Sequence, residues 1–247
     1  MAKLKAGQWL APFWGKRGYS TGRDPLGMQI ASIGTYAILL PGLTNLTRRV
    51  RYYSYYCWVV EQYARVESHT DEAIFRQFIR RAELLYAFGM AICYPESPAV
   101  VGKDWAAVNI KGFENNLPDK HVVDIASGAD QNGNRTYWKY SLGAFGQYFL
   151  GSLLHIGLIR EREGNPGVYL CTDRGRQLAD AFSVNLDSET TNEIINAVKG
   201  GKIDVRTLRA IQPKISLDAI QPESNEWKIL ISLLFGPDDG GRSQVPT

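Results

Sequence analysis

Residues Thr47 to Tyr63 run Thr-Arg-Arg-Val-Arg-Tyr-Tyr-Ser-Tyr-Tyr-Cys-Trp-Val-Val-Glu-Gln-Tyr, and this stretch limits the possible folds more than any other part of the chain. Wound as a helix at about 100° per residue, it places Tyr52, Tyr56, Val59 and Tyr63 on one side and Tyr53, Cys57, Val60 and Ala64 beside them. Apolar surface then covers most of the circumference. Such a helix has to lie inside a domain, with other elements packed around it. Its first turns carry Arg48, Arg49 and Arg51, which the helix macrodipole disfavours unless an anion lies close. Asp24 is the nearest acidic residue in this part of the sequence; a phosphate or a partner's carboxylate is the functional alternative.

The charge distribution bears on the same choice. Residues 1–65 hold nine Lys or Arg against Asp24 and Glu61, a net +7 in a 247-residue chain whose total is +3. A basic, aromatic-rich end suits an anionic partner, either nucleic acid or an acidic protein surface. Lys16, Arg17, Arg48, Arg49 and Arg51 are the candidate anion-binding residues, against the bland reading of solvated charges and internal ion pairs. Ahead of them, residues 1–25 mix Trp9, Phe13, Trp14 and Tyr19 with glycines and prolines, which reads as a packed extended arm. Met28 to Leu40, set between Pro25 and Pro41-Gly42, reads as a buried helix. It is too short and too interrupted to span a bilayer, and no signal-peptide pattern precedes it, so the chain is expected to be cytoplasmic.

Thr70-Asp71-Glu72 opens a clear amphipathic helix, with Ile74, Phe75, Phe78, Ile79, Ala82, Leu85 and Tyr86 on the inner stripe and Arg76, Arg80 and Arg81 off it. Residues 94–136 are rich in Pro, Gly and Asn and read as loops around short pieces at Trp105 to Ile110 and Val122 to Ala126. A domain boundary is expected there, between a helical region 1–93 and a second domain 137–235. Residues 141–156 read as a helix ended by Gly157. After it come a strand at Leu158-Ile159-Arg160, a turn at Glu163–Gly167, a return strand Val168–Cys171, and a helix capped by Thr172. Further helices are expected from Asp187 to Gly200, from Asp204 to Ile211 and from Pro222 to Phe235, before a disordered tail at 236–247. The expected fold class is mainly α with a minor β part.

The order helix, Gly-Leu-Ile, hairpin, Thr-Asp-Arg-Gly resembles the second half of a winged-helix domain over about forty residues, with Cys171 interrupting the usual Leu-Thr pair. In DNA-binding members of that class the helix before Gly-Leu-Ile is the recognition helix. Here residues 141–156 contain no Lys or Arg, and the basic residues of the wing are nearly cancelled by Glu161, Glu163 and Asp173. A smooth, small-residue helix suits packing against protein. Gly143, Phe145, Gln147, Tyr148, Gly151, Arg160 and Arg162 are therefore the candidate partner-binding residues.

Patterns for the common catalytic classes are missing: there is no phosphate-binding Gly-rich loop ending in Gly-Lys, no GxSxG elbow and no HExxH. Cys57, Cys93 and Cys171 lack metal-ligand or disulfide spacing, and His69, His121 and His155 stand alone. No metal, cofactor or catalytic residue is expected. An enzyme would need scattered polar residues such as Asp24, Arg48, Arg51 and His121 to converge in one pocket.

Asp24-Pro25-Leu26-Gly27, Leu39-Leu40-Pro41-Gly42-Leu43-Thr44 and the Thr47–Trp58 run, followed by the winged-helix half, resemble proteins of bacterial defence clusters. They are similar in type to the small accessory subunit of Lamassu-type systems. The resemblance implies a non-enzymatic subunit that binds an SMC-like ATPase and positions or restrains an effector nuclease, with non-specific DNA contact and no membrane contact. The rival reading is a winged-helix transcriptional regulator bound to an operator.

Overall fold

The computed structural model describes Met28 and residues 49–66, 71–110, 117–130 and 136–235. The chain divides into two units, Met1–Leu39 and Leu40–Thr247. The arm at 1–25, the Met28–Leu40 helix and the tail at 236–247 lie outside the described residues, apart from Met28 itself.

The Tyr-rich stretch forms α1 (Arg51–Val66), and every residue from Arg51 to Val60 is buried. Apolar surface all round the helix has elements all round it. α2 (Glu72–Cys93), β3 (Asn165–Cys171) and α6 (Asp173–Ser183) pack against α1. Phe182 of α6 sits beside Tyr55 and Trp58, with ring centroids 6.0 and 5.8 Å away. α2 opens where its acidic first turn predicts, with Asp71 Oδ1 accepting from Ala73 N at 2.6 Å. It is buried along most of its 22 residues and touches α3 (Lys103–Asn109), α4 (Ala126–Ala129), α7 (Ser188–Gly200), α8 (Val205–Ile215) and β3.

That contact pattern removes the domain boundary expected at 94–136. One apolar core runs from Tyr52 to Leu230. An apolar helix as long as α2 needs cover on several sides, and the elements on either side of the Pro- and Gly-rich region supply it together. Within that region β1 (Val122–Asp124) pairs antiparallel with β4 (Lys202–Asp204), Val123 opposite Ile203. The second sheet is the hairpin of β2 (Ile159–Arg162) and β3, so the fold is mainly α with two small two-stranded sheets.

Two local expectations shift. The turn of the hairpin is the pair Glu163-Gly164, with Gly164 at φ 76°, and Asn165 to Gly167 belong to β3. A two-residue turn demands positive φ, which glycine supplies at no steric cost, and an irregularity between Glu161 and Arg162 absorbs the extra chain. The helix expected over 141–156 has a π-helical turn, Phe145–Phe149, that runs on as α5 (Leu150–His155). α9 (Asn225–Phe235) closes the described chain. No helix among the described residues is long and apolar enough to cross a membrane.

One core residue conflicts with its surroundings. Gln212 of α8 is fully buried against Gly89 of α2, and neither of its amide atoms has a hydrogen-bond partner. An unsatisfied buried amide costs about 1–3 kcal/mol, so Gln212→Met, of similar length and without polar atoms, is expected to stabilise the protein by about 1 kcal/mol. Thermal unfolding reads this as a rise in Tm of roughly 2–4 °C; a lower Tm would mean that the amide has a role which its surroundings do not reveal.

Candidate functional site

Two buried charges that α2 delivers one turn apart hold the start of helix 145–155 and the segment ahead of it, Glu83 the helix and Arg80 the segment. Arg80 and Glu83 are 1% and 4% exposed. The guanidinium of Arg80 donates to four neutral acceptors on the segment that wraps α2: Ala129 O, Thr136 Oγ1 at 2.7 Å, Trp138 O at 3.1 Å and Tyr140 O at 2.6 Å. Its Cζ lies over the Tyr137 ring, 4.9 Å from the centroid. The carboxylate of Glu83 accepts from four donors: Tyr56 OH at 2.8 Å, Tyr137 OH, Ala144 N at 3.0 Å and Phe145 N at 2.5 Å. Burial pushes the Glu83 carboxyl above its ordinary range, and the bonds from Tyr137, Tyr56, Phe145 and Ala144 pull it back. Burial likewise lowers the Arg80 guanidinium, against the opposing pull of Tyr137, Glu83 and Asp130.

Glu83 therefore meets the first backbone N–H groups of the turn that starts the helix, where an anion is most favourable. Gly143 makes the approach possible: it holds φ 68°, and a Cβ there would collide with Glu83 and with the Tyr137 hydroxyl. From this mount the helix turns Phe145 and Phe149 inward. Phe145 lies 5.2 Å from Tyr56, and Phe149 lies 4.8 Å from Tyr52 and 4.9 Å from Tyr56, centroid to centroid. The opposite face looks out. Gln147 and Gly151 are exposed, Tyr148 is half-buried, and the space beside Gly151 is open. Trp138 ties this face to the wrapping segment, donating from Nε1 to Gln147 Oε1 at 2.8 Å and meeting Tyr148 edge-on at 5.7 Å.

The structure sorts the expected partner-binding residues by side. Gln147, Tyr148 and Gly151 share the outer face. Gly143 and Phe145 are buried and belong to the mount, because the same glycine and aromatic that suit a smooth surface are needed to seat the helix on α2. Arg160 is exposed and Arg162 half-buried on β2.

Of the expected anion-binding residues, Lys16, Arg17 and Arg48 lie outside the described residues, as does Asp24. Arg49 is half-buried and pairs with Asp218 at 2.6 Å and Ser97 Oγ at 3.0 Å. Arg51 is 1% exposed, which corrects the expectation that it faces a partner: its Nε donates to Glu226 at 3.0 Å and its Nη1 to Ser216 O, over the Phe182 ring at 4.9 Å. The negative group that the dipole argument required at Arg51 is thus a carboxylate of α9.

Sequence reasoning missed Arg80, Glu83 and Glu226. The signal for the first two was a carboxylate at 83 on the same turn as Ala82 and Leu85, on a helix apolar enough to be buried on that side. Among the described residues no cluster of three or more His, Cys, Asp or Glu is placed to hold a metal ion. Comparison with protein-family models, with curated proteins and with solved structures found no match.

Proposed function

We propose that this chain is a non-enzymatic accessory subunit of a cytoplasmic bacterial defence complex, and that the outer face of helix 145–155 docks it to a protein partner. The observation that carries the reading is an uncharged, exposed face, Gln147 and Gly151, on a helix whose start is held from behind by Glu83. A glycine with open space in front of it lets a partner's backbone come close, and a rigid mount spares the cost of ordering the surface on binding. The partners that the resemblance implies are an SMC-like ATPase and an effector nuclease. The same face lacks the Lys and Arg that a recognition helix would direct at base edges and phosphates, which weighs against the regulator reading.

Gly151→Arg tests the surface. With no atom in the way, the side chain is accommodated, and loss of a helical glycine offsets any local cost, so Tm is expected to stay within about 2 °C. Tagged wild-type protein expressed with its native gene neighbours is expected to bring down a large ATPase and a nuclease, and Gly151→Arg is expected to lose them. A wild-type protein that purifies alone and shifts one DNA sequence selectively would transfer the case to the regulator.

A further inference from the structure

α1 starts in an electrostatically unfavourable way, and the two carboxylates that relieve it both come from one stretch near the end of the chain. Its first turn holds no acidic residue and carries Arg51, with Arg49 just ahead. Asp218 meets Arg49, while Ser216 O and Glu226 meet Arg51. The set is incomplete. Arg51 Nη2 is buried with no partner, and so is Ser54 Oγ, one turn along the same side of α1. A carboxylate and a carbonyl therefore occupy a place that offers more donors than they meet.

The helix that brings Glu226 there is weakly embedded. α9 is apolar nearly all round, yet of its described side chains Glu226 and Leu230 are the buried ones, and Ile231 is 39% exposed. A groove of about 430 Å³, walled by Ala181, Val184, Asn225 and Ile229 among others, remains between α6 and α9. The turn leading into α9 has Glu223 at φ 63°, a conformation costly for a side chain with a Cβ. A buried ion pair adds little to hold α9 down, because the attraction is largely offset by the hydration both ions lose. Lifting α9 returns water to Glu226, Arg51 and Ser54.

We propose that residues 218–235, α9 with the turn before it, form a strap which keeps Asp218 and Glu226 in a latent anion site at the head of α1, and that in the lifted state Arg49, Arg51 and Ser54 take a phosphate of a nucleic-acid backbone. A phosphate has the acceptor oxygens that the unpartnered Nη2 and Oγ lack, it can be held by the guanidinium in two parallel bonds, and a helix N-terminus favours it. The acidic strap makes DNA contact conditional, which distinguishes this site from a permanently open basic patch.

The test uses the full chain and a short fluorescent DNA duplex of arbitrary sequence, followed by anisotropy. Asp218→Asn with Glu226→Gln is expected to bind about tenfold more tightly than wild type and to show a steeper salt dependence. The control pair Glu189→Gln with Glu193→Gln on α7 makes the same change in net charge and is expected to alter affinity by less than about threefold. Adding Arg51→Gln to the first pair is expected to cancel the gain. Hydrogen exchange of the wild-type protein, which needs no variant to fold, is expected to show faster exchange in α9 and slower exchange at residues 51–54 when excess duplex is added. Equal gains from both pairs, no binding by the strap variant, or α9 exchange that slows or stays unchanged on adding duplex would each overturn the proposal.

Discussion

Glu83→Gln is expected to lower the stability of the protein by about 2–4 kcal/mol, because buried donors lose their acceptor. The carboxylate has four donors aimed at it, two tyrosine hydroxyls and two backbone N–H groups. An amide has the same shape but offers one acceptor oxygen and turns two N–H donors toward groups that are donors themselves. The backbone donors of Ala144 and Phe145 cannot rotate away, and the site is closed to water. Denaturant unfolding followed by tryptophan fluorescence gives the loss directly; a change below about 1 kcal/mol would show that the carboxylate does not hold the start of helix 145–155.

Arg80→Lys is expected to cost about 3 kcal/mol although the charge is kept. Four acceptors from Ala129, Thr136, Trp138 and Tyr140 lie around a planar fork, and an ammonium on a shorter reach cannot meet all of them. Trp138 O and Tyr140 O keep the donors Thr136 Oγ1 and Gly143 N, but Ala129 O, on a fully buried residue, would lose its donor, and the guanidinium contact with the Tyr137 ring would be lost. A second consequence separates this from a general loss of stability. The segment 136–140 should exchange its amides and admit protease well before the core of α1 and α2 does, because Arg80 is what ties that segment down. Uniform destabilisation, with 136–140 no more open than α1, would contradict that role.

Both variants act on residues whose roles the sequence marks only faintly: Glu83 by sharing a turn with Ala82 and Leu85, while Arg80, expected off the inner stripe, is buried. What was legible depended on spans of a few residues. Asp71, Thr172, Asp187 and Asp204 each accept from a backbone N–H two or three residues on, at 2.6, 3.2, 2.7 and 2.9 Å, and the helix starts that Asp71, Thr172 and Asp187 mark were predictable from that short reach. The Gly157–Thr172 hairpin was legible for the same reason, to within the placement of its turn. The pairing of β1 with β4 was not: its two strands are three residues each, and what brings Val123 opposite Ile203 is the folding of everything between them.

Arg51 shows where the division falls. An all-round apolar helix with arginines at its head must be buried and must find a negative group, because apolar surface is driven out of water and a macrodipole opposes cations at its start. That much was determined by the amino acids alone, as was the mainly helical class. Which carboxylate answers Arg51 was decided by tertiary structure: Glu226 lies 175 residues away, and every acidic residue in the chain has the same chemistry to offer. The same holds for Glu83. Its type and its place on an apolar turn are local facts, whereas the four donors that make it the mount of helix 145–155 come from α1 and from the 137–145 segment. Local propensity and capping act over one or two turns of chain, while a buried charge is settled by whichever distant groups packing brings within about 3 Å of it.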